Sequence, residues 1–249
     1  MIKKDIEYFF KKFLFSETYL LKKRLKRAIN KKYEKELDII EKFSDYDKEA
    51  VDVGVYRGVY SYQLSKYFKH VYSFEPNTLI FDYLNKNLTK IKSNISLFNL
   101  ALSNENGDAE LKIPLRNKSF FNNNNEELFK LGAASIHPLN NFEQFKSINV
   151  KKKKLDDILN DKKISFIKID VEGHEKEVID GSIQIINNYR PTLLVEIEER
   201  HSGKKVTQTL DYINNLGYKS YYYDEGKINS TSNLNNFKRY NNYIFIKKV

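Results

Sequence analysis

The chain has no cysteine and no tryptophan, a single methionine, four prolines and nine glycines in 249 residues. The absence of cysteine excludes disulfide frameworks, thiol nucleophiles, redox pairs and cysteine-ligated zinc or iron–sulfur sites. No apolar run reaches the roughly 18 residues that a bilayer-spanning helix needs. The uninterrupted apolar stretch and small-residue cleavage site of a secretory signal are also missing, so a cytoplasmic location is expected. What is present is a globular composition: 41% hydrophobic and 14% aromatic side chains are too many for a disordered chain. A folded chain of this length hides roughly 70–75% of its unfolded surface and needs no metal or disulfide to hold it together.

The formal charge of +10 suggests a nucleic-acid partner until its distribution is counted. Residues 1–32 hold eleven Lys and Arg against three acids, whereas the other 217 residues hold 32 basic and 30 acidic side chains. The near-neutral remainder is a poor footprint for a phosphate backbone, so no nucleic-acid partner is expected. In the basic segment Ile2, Ile6, Phe9, Phe10 and Phe13, then Leu21, Leu25, Ala28 and Ile29, recur at helical spacing. This predicts a basic amphipathic helix, broken near Ser16. Two uses suit it: peripheral contact of residues 1–32 with an anionic membrane surface, or packing on the body or on a second subunit with the lysines in water. Residues 1–48 read as a helical extension and 49–249 as the main domain.

From residue 49 the pattern changes. Strand-like runs at 50–53, 71–74, 95–98, 164–169 and 192–197 alternate with helical patterns at 58–69, 77–90 and 175–188. Such alternation predicts an α/β fold, a mostly parallel sheet with helices on both faces. Residues 218–223 and 243–246, after a helix at 204–215, read as a hairpin-like addition to the sheet edge. Residues 105–113 read as an exposed strand begun at a Gly107 turn, and 117–149 as a long loop of the kind that forms a lid or substrate wall.

The chemistry collects where the predicted strands end: Asp52 with Gly54 and Gly58, then Glu75, Asn99, Asp170 followed by Glu172 and His174, and finally Glu196. In an open α/β sheet the ligand crevice lies outside the carboxyl ends of the strands, so these residues converge. Gly54 allows a close backbone approach or a positive φ, and Gly58 allows a helix to pack tightly on its strand. The spacing is not the dinucleotide G-x-G-x-x-G, because Tyr56 holds the place of the second glycine, nor is it a phosphate loop. Glu75, 21 residues beyond Gly54, can accept two hydrogen bonds from a ribose diol. The acids suit a cationic ligand better than a pyrophosphate, which carboxylates repel. Arg57 is the exception and suits a ligand carboxylate.

Asp52-x-Gly54-x-x-x-Gly58, Ser73-Phe-Glu75-Pro76, Asn99-Leu-Ala101-Leu-Ser103, Lys168-Ile-Asp-Val-Glu-Gly-His-Glu175 with Gly181, and Pro191-x-Leu-Leu-Val-Glu196 resemble the successive motifs of the FkbM-type S-adenosylmethionine-dependent methyltransferases. The likeness spans about 50–200; Val55-Tyr56 departs from it, since the family usually shows Ala-Asn there. The resemblance implies a Rossmann-like class I methyltransferase fold and O-methylation of hydroxyls of sugars, glycans or related metabolites. It also implies that Asp52, Gly54 and Gly58 line the methionine end of S-adenosylmethionine, that Glu75 holds the ribose, and that Asn99, Ala101 and Leu102 lie near the adenine.

A sugar hydroxyl needs help to lose its proton as the new bond forms. Three devices are open: His174 as base by its ordinary pKa, a carboxylate among Asp170, Glu172 and Glu196, or a divalent metal on Asp170 with Glu172 or Glu196. Glu175 joins the cluster and His201 lies at the same rim. Glu172 and Glu175 equally suit a helix N-terminus. Two other classes compete: a nicotinamide-dependent oxidoreductase, which lacks its middle glycine here, and a non-catalytic carbohydrate- or partner-binding module on the same scaffold. Eighteen tyrosines and many asparagines suit a sugar-binding rim, so the expected acceptor is a sugar or glycan.

Overall fold

The computed structural model describes residues 14–32, 34–114, 134–137 and 145–248. The expectation for residues 1–13, and most of that for the 117–149 loop, lies outside the described residues. Ser16 ends the first break by capping α1 (Glu17–Asn30), its hydroxyl accepting from the Tyr19 amide. The face bearing Leu21, Leu25 and Ala28 is buried and joins a core layer with Leu84 and Leu88. Of the two uses foreseen for the helix, its described apolar face serves packing on the body, because those leucines find hydrocarbon partners there.

The strands are β1 (Asp45–Val53), β2 (Phe68–Phe74), β3 (Ile95–Phe98), β4 (Ala101–Leu102), β5 (Gly107–Pro114), β6 (Phe145–Lys153), β7 (Ile164–Ile169), β8 (Thr192–Glu196), β9 (Tyr218–Asp224), β10 (Lys227–Ser230) and β11 (Asn242–Lys247). One sheet runs β10-β9-β11-β8-β7-β1-β2-β3 and a smaller one β4-β6-β5. From β3 to β8 the neighbours are parallel. Between the strands lie α2 (Val59–Leu64), α3 (Thr78–Ile91), α4 (Leu155–Leu159), α5 (Glu175–Asp180), α6 (Ile183–Tyr189), α7 (Glu199–Ser202) and α8 (Val206–Asn215). Two apolar layers cover the two faces of the large sheet, which is the layered architecture that alternating elements require.

Three expectations change. The helix expected over 58–69 stops at Leu64, and Phe68 already belongs to β2, paired with Asp45 of β1. The helix expected over 175–188 breaks at Gly181-Ser182, because the buried Asp156 carboxylate caps the second half, accepting from the Gln184 and Ile185 amides at 2.9 and 3.0 Å. The pair at 218–223 and 243–246 is no edge hairpin: β11 inserts antiparallel between β8 and β9. Tyr243, Ile244 and Phe245 are wholly buried, and a strand apolar on both faces belongs in the sheet interior. The polar β10 takes the edge instead.

Candidate active site

The carboxyl ends of β1, β2, β4 and β7 open on a solvent-connected cleft. The parallel register brings Val53 beside Phe74 and Ile169, so the residues that follow these strands meet. Gly54 turns the chain at φ +81°, and a Cβ there would lie 1.8 Å from the Asp170 carbonyl oxygen. Any side chain would push the first turn away from β7.

Tyr56 adopts φ +47°, an orientation that carries a cost for a non-glycine residue, and its amide donates to Glu75 Oε2 at 2.9 Å. The Asn77 amide donates to Glu75 Oε1, also at 2.9 Å. Glu75 lines the cleft and is 5% exposed. Burial raises its pKa to about 7 against the pull of those two amides. Each oxygen keeps a second lone pair for a ribose hydroxyl. Ala101 and Leu102 form an apolar slot with Phe74, Ile80 and Leu100.

Asn99 stands behind this wall, its amide donating to the Glu75 and Pro76 carbonyls at 2.9 and 3.0 Å. Gly58, at φ +74°, seats α2 against α3: a Cβ would come within 3.1 Å of Leu88. Asp52 is fully buried and is not among the residues lining the cleft. Its Oδ2 accepts from Ser61 at 2.5 Å and its Oδ1 lies 3.9 Å from Lys168 Nζ.

The second half of the cleft is organised by Lys168, which is 3% exposed. Its ammonium lies 3.0 Å from Asp170 Oδ2 and 3.3 Å from the Gly54 carbonyl. Burial opposes this charge, but Asp170 and Asp52 hold the pKa above that of an ordinary lysine. Asp170 lines the cleft. Glu196 reaches the site through a hydrogen bond to Asp170, and burial, then the Asp170 charge, drives its pKa upward.

Glu172 lines the cleft at φ +53° and lies 2.8 Å from His201 Nε2. That hydrogen bond to Glu172 raises the His201 pKa. His174 also lines the cleft, with Nε2 3.0 Å from the buried Ser103 hydroxyl. Burial lowers its pKa to about 4. Glu175 is buried and accepts from the Gly173 amide at 2.8 Å, with burial raising its pKa to about 7.

Gly54, Glu75, Ala101, Leu102, Asp170, Glu172 and His174 thus share one cleft, with Asp52, Gly58 and Asn99 behind its walls. Sequence reasoning missed Lys168 and the wall made by Leu111, Ala134 and Ile136. The alternation of Leu111 and Ile113 with Glu110 and Lys112 in β5 was a usable sign that one face of that strand needed a partner.

The family model of the methyltransferase FkbM domain matches residues 52–220. This chain belongs to the FkbM methyltransferase family. Methyltransferase FkbM from Methylobacillus flagellatus KT is similar in fold, at 16% identity and a TM-score of 0.51, over 80% of this chain and 43% of that one. The chain thus spans less than half the length of that relative. An rRNA methylase from Streptococcus thermophilus (13% identity, TM-score 0.47) aligns over 86% of this chain and 93% of its own. SMU.1697c, a putative methyltransferase from Streptococcus mutans solved with SAH (11% identity, TM-score 0.47), aligns over 87% and 97%. No curated protein is similar enough in sequence to match.

The fold is the Rossmann-like class I methyltransferase fold and the cofactor of this FkbM methyltransferase is S-adenosylmethionine. The cleft fits it: an apolar slot for a purine, a buried carboxylate with free lone pairs for the ribose, and a glycine turn beside Asp170 for the methionine end. Asp170 and Glu196 do not fit a divalent metal. Among the described residues no three His, Asp or Glu side chains gather as ligands, and the Lys168 ammonium already holds the place a cation would take beside Asp170.

Proposed function

We propose that this FkbM methyltransferase methylates a hydroxyl oxygen of a sugar or glycan, acting in the cytoplasm and peripherally at the inner face of the membrane, with Asp170 as the proton acceptor. The observation that carries this reading is the Asp170–Glu196 pair beside the buried Lys168. When bound, S-adenosylmethionine supplies a methyl group on a positively charged sulfur. Glu75 accepts from the ribose hydroxyls, and the slot around Ala101 and Leu102 keeps water from the base. Asp170 would take up the proton that the acceptor hydroxyl gives up, with the Glu196 carboxyl hydrogen-bonded beside it.

A general base works best when its pKa lies near the operating pH. Burial lowers the His174 pKa to about 4, which makes it a poor base at neutral pH, and its Nε2 is engaged by Ser103. Asp170 pairs with Lys168 and Glu172 with His201 beside the cleft. Such a cleft suits an uncharged hydroxyl better than a polyanion.

Radiolabelled methyl donor incubated with cell-envelope polysaccharide fractions tests the reading. The expected result is label in a sugar methyl ether, absent with Asp170→Asn. Label in RNA or protein instead overturns the acceptor class.

A further inference from the structure

The described part of the basic segment has two faces with different fates. Leu21, Leu25 and Ala28 of α1 are spent on the body. Opposite them, Tyr19, Lys22, Lys23, Lys26 and Arg27 are exposed, which is the expected result of 3.6-residue periodicity. The sole acid of α1, Glu17, turns toward the body and lies 3.3 Å from Lys86 of α3. The outward face therefore carries four basic side chains and no acid.

Its charge continues beyond the helix. Lys66, after α2, and Lys92, after α3, both lie over the Tyr62 ring, at 5.1 and 5.9 Å. The Lys66 pKa is lowered by burial and then by Lys92 and Lys26. Lysines from three elements are thus close enough to repel one another. Folding has assembled like charges here at a cost that an anionic partner would relieve.

Beside this basic face sits an apolar tip. Leu14, Phe15 and Tyr19 are 66%, 43% and 48% exposed, and the Phe15 and Tyr19 rings stack at 4.9 Å between centroids. Large apolar side chains next to basic ones match the two layers of a lipid interface, headgroups and acyl boundary. An aliphatic tip at Leu14 gains from lipid but not from stacking on nucleic-acid bases.

We infer that the outward face of α1, with Lys66 and Lys92 beside it and Leu14, Phe15 and Tyr19 at its tip, docks the enzyme on an anionic lipid surface. The inference rests on the peripheral placement proposed above and not on the methyl-transfer chemistry. It assigns the contact to side chains opposite the leucine face.

The test uses the full chain with vesicles of phosphatidylcholine alone and of phosphatidylcholine mixed with phosphatidylglycerol, read by co-sedimentation. Each basic side chain near an anionic surface contributes roughly a fivefold gain in partition. Binding is expected for the mixed vesicles and to fall at high salt. It should fall by at least about tenfold in the variant K22Q/K23Q/K26Q/R27Q, and severalfold in F15S/Y19S. Equal binding to both vesicle types, or unchanged partition of the fourfold variant, overturns the inference. So does displacement of the protein from mixed vesicles by RNA at equal phosphate concentration, which assigns the face to nucleic acid. S-adenosylmethionine affinity by calorimetry should be the same in all variants, so failure to dock is separable from failure as a methyltransferase.

Discussion

Glu75 and Asp170 are carboxylates at the ends of β2 and β7, on either side of β1, and both line the same cleft. Their company differs. Glu75 is held by two backbone amides, whereas Asp170 is held by the Lys168 ammonium and hydrogen-bonded to Glu196. Backbone amides fix a carboxylate in space and leave it an acceptor. A neighbouring lysine and a second carboxyl instead pull a carboxyl's proton affinity in opposite directions. The difference teaches why the proposed function gives the Glu75 half of the cleft a holding role and the Asp170 half a reacting one.

The sharpest way to break this contrast is Asp170→Asn. With a sugar acceptor, the rate should fall by about a thousandfold, the scale of a lost general base, while calorimetry shows donor affinity within a few-fold. A normal rate would remove Asp170 as proton acceptor. Glu75→Ala should do the converse, weakening S-adenosylmethionine binding by about a hundredfold through loss of two hydrogen bonds to an ionised acceptor. Unchanged affinity by calorimetry would end its ribose role.

A further effect follows from the buried carboxyls. Glu75 and Glu175 both have folded-state pKa values raised from 4.5 to about 7 by burial. A raised value means the folded state binds the proton more tightly than the unfolded one. This contribution is fully present below about pH 4.5 and is lost as pH rises through 7. The cofactor-free protein should therefore lose stability over that window, on the order of 3 kcal/mol for each of the two groups. Thermal melts across pH would show it, and Glu75→Gln should flatten the decline. The smallest effect concerns Tyr56. Asparagine tolerates positive φ and valine does not, so Tyr56→Val should cost about 1 kcal/mol more than Tyr56→Asn in denaturant midpoints.

Much of the holding half was legible in the sequence. A glycine turn after one strand and an acid ending the next are local features, and their convergence follows from how parallel strands stack. Asp52 was misleading because side chains alternate faces along a strand. Val53 joins the layer on one side of the sheet, while Asp52 points to the other, where Ser61 and Lys168 enclose it. Lys168 itself sits opposite Asp52 in the β1–β7 register, a relation between residues far apart in the chain. Leu111, Ala134 and Ile136 carry no chemical signature, and only the docking of the small sheet shows that they wall the cleft. In the reacting half the types of residue were evident but their partners were not. The burial of His174 and its contact with Ser103, which bear on its candidacy as base beside the carboxylates, are not visible in the sequence.

The place of β11 bears on how the chain is made. Residues 242–247 lie between β8 and β9, so a ribosome must release nearly everything described here before those two strands gain the neighbour that joins them. Until then each presents a bare row of amides and carbonyls to the crowded cell. Nascent molecules cut short before Asn242 should be prey for chaperones and proteases rather than slow versions of the enzyme.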